Sequence, residues 1–180
     1  AVGLAGVELR YPMVRRDLCD LNLLANLTGQ CDQHLGNYGI RSTGQGHPRK
    51  LVAFDNDVSF GQATTSKGLY WVDDTTDEAL AQNTAGRDVA ASKATGLPPV
   101  VARDTFNSVM AMTPKRLEKL LDGLVTPAEI KAAQARLMDI QAHLRELPDD
   151  AVLDDGDWHD PGVAEHLGLA AIAAARHDPT

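Results

Sequence analysis

Cysteines, aromatic residues and long apolar runs are all scarce in this chain of 180 residues. Two cysteines are too few for a disulfide framework, so we expect a reducing compartment, and we expect a packing role for Cys31. No apolar run approaches the roughly 20 residues that cross a bilayer, and no signal peptide is visible. The net charge of −8 argues against binding to nucleic acid or to anionic lipid, because both need a basic surface.

The spacing of apolar residues predicts an α+β domain that is mostly helical. Gly29 is a plausible C-cap for a first buried helix, and Pro12 is interpreted as a breaker before it. Two short strands, at 38–40 and 51–54, are separated by a polar segment rich in glycine and therefore predict a hairpin. The predicted helices cover 15–30, 104–112, a stretch opened by Thr113-Pro114, about 126–147 from the capping box Thr126–Glu129, and about 160–176.

Two polar motifs adjoin the predicted strands. The first is Asp32-x-His34-x-x-Asn37, directly after the first helix, and the second is Asp55-x-Asp57, which ends an apolar run and precedes a Phe-Gly pair. A hairpin between them would bring Asp55 beside Asn37. Carboxylate and amide oxygens suit Mg²⁺, and phosphoryl transfer needs a carboxylate near the acceptor hydroxyl together with metal-held phosphates.

In their order and spacing the motifs resemble the C-lobe of the phosphatidylinositol 3-/4-kinase-like group of atypical kinases, and more distantly the HipA-like bacterial kinases. The resemblance covers residues 15–61 and implies a protein-kinase-like C-lobe in which a small β-hairpin carries the catalytic and metal loops. It matches Asp32 to the catalytic aspartate, and it matches Asn37 and Asp55 to the residues that hold ATP with Mg²⁺ or Mn²⁺. His34 would assist as a base, stabilise charge or act as an internal strut. Asp57 is a candidate second metal ligand.

The chain departs from the family at Gln33, where an arginine is usual. It also lacks a glycine-rich phosphate loop, a Val-Ala-Ile-Lys-like strand and a partner glutamate helix. We therefore expect 1–180 to be one domain, the C-terminal lobe of a larger protein whose N-terminal lobe is missing here. Within it we expect a catalytic core at 15–61, an activation or substrate loop at 62–98 and a helical subdomain at 99–180.

The predicted function is that of an ATP-dependent kinase that moves the γ-phosphate to a hydroxyl. Acidic residues outnumber basic ones in 62–98, which disfavours a polyanionic acceptor and fits a protein serine or threonine or a weakly charged lipid headgroup. Of these two acceptors we favour protein. We expect a cytoplasmic protein or, by analogy, a secreted bacterial effector that acts in a host cytosol.

Two other functional classes stay open. A catalytically dead lobe that serves as a protein-binding module is favoured by Gln33 and by the missing N-terminal lobe, whereas intact Asp32, Asn37 and Asp55 oppose it. A metal-dependent hydrolase would use Asp55 and Asp57 and would release phosphate without a preference for ATP.

Two further polar features have plainer interpretations. A loose cation site at Asp154, Asp155 and Asp157 is less favoured than a solvated linker, because the spacing does not fit an EF-hand. His166 and His177 share a helical face but lack a third ligand, so a zinc site is not predicted.

Overall fold

A long helix, α1, runs from Pro12 to Thr28 in the computed structural model, which describes residues 11–30, 38–41, 50–54, 59–60, 97–160 and 162–163. Interpreting Pro12 as a breaker was wrong. It occupies the first turn, where the missing N–H has no helical partner to lose. The helix therefore begins three residues earlier than predicted. Its predicted end is confirmed, since Gly29 follows in the left-handed conformation with a φ of 68°.

The predicted hairpin is also confirmed. Strands β1 (Tyr38–Arg41) and β2 (Lys50–Ala53) pair antiparallel, with Tyr38 opposite Ala53 and Arg41 opposite Lys50. Tyr38 and Leu51 are buried with residues of α1, so the hairpin packs on that helix.

Three more helices follow: α2 (Arg103–Met110), α3 (Pro114–Leu121) and α4 (Pro127–Glu146). Thr113 caps α3 by accepting a hydrogen bond from the Arg116 N–H at 3.2 Å. The predicted capping box at the start of α4 is present in both directions, because the Thr126 side chain accepts from the Glu129 N–H and Glu129 accepts from the Thr126 N–H.

A second pair of strands was not predicted from the sequence. β3 (Val101–Ala102) and β4 (Val152–Leu153) pair in parallel, with Val101 opposite Val152. They are only two residues long, too short to show an alternating pattern. The stretch 148–157 contains β4 together with a 3-10 turn at Asp149–Ala151, and a second such turn follows at Asp157–His159.

The described residues confirm an α+β arrangement that is mostly helical, with α1 at its centre. Each of its buried clusters has residues from α1 in it or against it. Leu18 packs with the hairpin and Trp158, Leu23 packs with Val101 and Ile140, and Leu27 packs against the cluster between α3 and α4. Of the helices in the described part of the chain, none is both long enough and apolar enough to cross a membrane. Most of the helix predicted for 160–176 lies outside the described residues.

Replacing Leu137 by Ala should destabilise the protein by about 2–5 kcal/mol, the usual cost of such a cavity. Leu137 is 1% exposed in the cluster between α3 and α4. Met138 follows it on the same helix but is 53% exposed, so Met138→Ala is a matched control that should stay within about 0.5 kcal/mol of the wild type. Urea denaturation of both variants checks this, and equal losses would contradict the packing described.

Candidate functional site

The residues predicted for the site all lie in segments 31–37 and 55–58, outside the described residues: Asp32, His34, Asn37, Asp55 and Asp57. The same holds for the segment 62–96 of the predicted substrate loop and for His166 and His177. The structure instead describes the residues on both sides of each motif. Gln30 and Tyr38 flank the first motif, and Phe54 and Ser59 flank the second.

The pairing of β1 with β2 joins the end of the first motif to the start of the second. Tyr38 directly follows Asn37, and its partner Ala53 lies two residues before Asp55. The first motif therefore precedes the hairpin, and the second follows it, at the same end of the paired strands.

A backbone hydrogen bond joins the other two ends. The N–H of Phe60, just after the second motif, donates to the carbonyl oxygen of Thr28, just before the first, at 2.8 Å. Phe60 has a φ of 58°, a left-handed conformation that is uncommon for a residue with a side chain. Its ring packs against the cluster of Leu117 and Leu137, and this contact and the hydrogen bond together hold the unfavourable conformation.

The carbonyl end of α1 is completely supplied with hydrogen-bond donors. The last four carbonyls of a helix lack helical partners, and here the first two are satisfied by the Schellman arrangement that a left-handed glycine permits. The donors and acceptors are Gln30 N to Ala25 O (2.9 Å), Gly29 N to Asn26 O (3.2 Å), Arg136 Nε to Leu27 O (3.0 Å) and Phe60 N to Thr28 O (2.8 Å). We call this set of four hydrogen bonds the α1 junction.

A stripe of buried amides leads along α1 to this junction. Asn22, Asn26 and Gln30 are spaced by four residues and are all buried. The Asn26 side chain donates to both the backbone and the side-chain oxygen of Asn22, at 3.0 and 3.1 Å. This stripe was not predicted from the sequence, although amides at intervals of four residues within an apolar helix are a visible signal.

Asp17 fixes the hairpin to α1. Its carboxylate accepts a hydrogen bond from the N–H of Leu51 in β2 at 2.8 Å, four residues before Asp55. Burial raises the pKa of Asp17 above its ordinary value of 3.8, and the Leu51 N–H, Lys50 and Arg16 oppose that rise.

The three aspartates considered as a cation site have partners within the protein. Arg103 binds Asp154 with an Nε to Oδ1 distance of 2.6 Å, and Arg16 pairs with Asp155. Asp157 accepts from the Asp154 N–H at 2.7 Å. Within the described ranges, no group of three histidine, cysteine or acidic residues is placed to hold a metal ion.

Comparison of the chain with protein-family models, with curated proteins and with solved structures gives no match. The functional interpretation therefore depends on the two motifs and on the contacts that join their ends.

Replacing Asp17 by Ala should cost about 1–3 kcal/mol of stability relative to Asp17→Asn, because the buried Leu51 N–H then loses its acceptor. Asparagine keeps an oxygen at that position, and neither variant carries the charge, so their difference isolates the hydrogen bond. Chemical denaturation at neutral pH measures it. Equal stability of the two variants would show that the contact does not fasten the hairpin.

The pH dependence of the same variants supplies a second check. Since the folded pKa of Asp17 is raised, its favourable contribution is present below the unfolded value of 3.8 and is lost as the pH rises through the folded value. The stability of Asp17→Asn should therefore increase relative to the wild type across that range. If the stability difference between Asp17→Asn and the wild type stays constant within experimental error from pH 3 to pH 7, the raised pKa is contradicted.

Proposed function

We propose that the chain is the C-terminal lobe of an ATP-dependent phosphotransferase of the phosphatidylinositol 3-/4-kinase-like group, and that it phosphorylates a protein hydroxyl. One observation carries the proposal. The segments on either side of the two motifs are fastened together by the pairing of Tyr38 with Ala53 and by the hydrogen bond from Phe60 to Thr28. Phosphoryl transfer depends on such positioning, because the acceptor carboxylate and the metal ligands must act at one point.

The proposed roles follow the motifs. Asp32 orients the acceptor hydroxyl and takes its proton, while His34 assists as a base or stabilises charge. Asn37 and Asp55 hold the metal ion, with Asp57 as a second ligand. All of these offered ligands are oxygens, a donor set that fits Mg²⁺ or Mn²⁺. A metal ion held there would neutralise the phosphate charges of ATP.

The charge of the chain favours a protein acceptor. The segment 62–98 carries Lys67, Arg87 and Lys93 against a larger number of acidic residues, and the whole chain has a net charge of −8. A multiply phosphorylated headgroup would be repelled by this excess of negative charge, whereas a serine or threonine hydroxyl on a protein would not be.

Transfer of label from γ-labelled ATP tests the proposal directly. The full-length protein that contains this chain would be incubated with Mg²⁺ or Mn²⁺ and candidate acceptors, and the labelled product identified. We expect label in protein. Label in lipid would correct the acceptor, and release of free phosphate alone would favour the metal-dependent hydrolase.

Replacing Asp32 by Asn should lower the rate of transfer by about 10²–10⁴-fold, the usual contribution of a positioned general base. Asp55→Ala should abolish transfer, because a metal ligand is lost. Asp150→Asn is the matched control, an exposed aspartate outside both motifs, and it should leave the rate unchanged. Folded wild-type protein that neither transfers nor releases phosphate would contradict the proposal and favour the protein-binding module.

A further inference from the structure

Arg136 is a charged residue in the interior of the protein. It lies in α4 and is 1% exposed, between turns that otherwise bury apolar side chains such as Ala133 and Ile140. Burial lowers its pKa, yet a guanidinium stays charged at any physiological pH. Burying a cation costs free energy unless polar groups form hydrogen bonds with it, so its partners indicate what the residue does in the fold.

The cation meets the carbonyl end of α1. Its Nε donates to the carbonyl oxygen of Leu27 at 3.0 Å, across 109 positions of sequence. The carbonyl end of a helix carries a partial negative charge, which favours a cation there. Leu27 lies five residues before Asp32, so this contact is made close to the start of the first motif.

The guanidinium also lies flat against Gly29. A Cβ atom built on Gly29 would be 2.8 Å from Cζ of Arg136 and 3.0 and 3.1 Å from its two terminal nitrogens. These near-equal distances show that the face of the group, and not its edge, covers the glycine. Gly29 is therefore needed twice, for its φ of 68° and for this close approach.

A contribution to stability alone explains this arrangement poorly. An apolar side chain of similar volume often packs as well as a buried charge, without the cost of desolvation. A planar cation with a hydrogen bond also constrains the backbone, because it contacts both the last turn of α1 and Gly29, the residue after it. The next residue, Gln30, is held by the hydrogen bond from its N–H to Ala25 O at 2.9 Å, and the first motif begins two residues later.

We propose that Arg136 is a positioning residue for the catalytic loop: its guanidinium, placed over Gly29 and bonded to Leu27, sets the direction in which the chain leaves α1 toward Asp32. The proposal rests on the proposed function for the role of Asp32. Arg136 belongs to neither motif and lies 109 positions after Leu27 in the sequence.

The test compares Arg136→Met with Leu144→Ala. Both change a side chain of α4 that is 1% exposed, but Leu144 packs in the cluster of Leu23 and Val101 and takes part in none of the four hydrogen bonds of the α1 junction. Amide hydrogen exchange of Gly29, Gln30 and Phe60 is measured on the full chain, and transfer kinetics are measured under conditions in which both variants are folded.

We expect Arg136→Met to speed exchange at those three amides selectively and to lower kcat by about 100-fold, the effect of misplacing a catalytic group by about 1 Å. The KM for ATP should change little. Leu144→Ala should reduce stability while leaving both kcat and the exchange pattern of the junction close to those of the wild type. Arg136→Lys keeps a cation and a donor without the planar group, so it should recover part of both properties.

Equal effects of Arg136→Met and Leu144→Ala on exchange and kcat would overturn the proposal. If Arg136→Met does not fold, Arg136→Lys takes its place in the same comparison. A wild-type protein without transfer activity would instead refute the proposed function. The exchange measurement would then still decide whether Arg136 holds the end of α1.

Discussion

The carbonyl end of α1 is the constraint on which the rest of the described structure depends. A helix that ends inside a protein must find donors for its last four carbonyls, because burying them unpaired costs free energy. Here two donors are local, on Gly29 and Gln30, and two arrive from remote parts of the chain, on Phe60 and Arg136. Satisfying one helix end therefore joins three segments that are far apart in sequence.

The same helix also holds the hairpin. Asp17 binds the Leu51 N–H, while Tyr38 and Leu51 are buried with Val14 and Leu18 of α1. Both sides of each polar motif are thus fastened, directly or through the hairpin, to a single rigid element. A site that has to bring a carboxylate, an amide and a metal ligand to one point needs a support of this kind.

Features that depend on neighbouring residues could be predicted from the sequence. Gly29 ending α1, the capping box at Thr126 and the pairing of β1 with β2 each have a local chemical signature. The pairing of β3 with β4 and the contact of Arg136 with the carbonyl end of α1 were not predicted, because each joins residues about 50 or more positions apart in the sequence. The five site residues were predicted from motif spacing; all of them lie outside the described residues, so their roles stay a prediction.

The proposal that the two motifs form one metal-nucleotide site is tested most directly by adding Mn²⁺ with ATP to the isotope-labelled protein. Paramagnetic broadening of backbone amide signals then reports which residues lie near the ion. The account predicts simultaneous broadening at Gln30, Tyr38, Phe54 and Ser59, the residues that flank both motifs. Broadening confined to the surface of Asp154 and Asp155, or none at saturating Mn²⁺ and ATP, would contradict it.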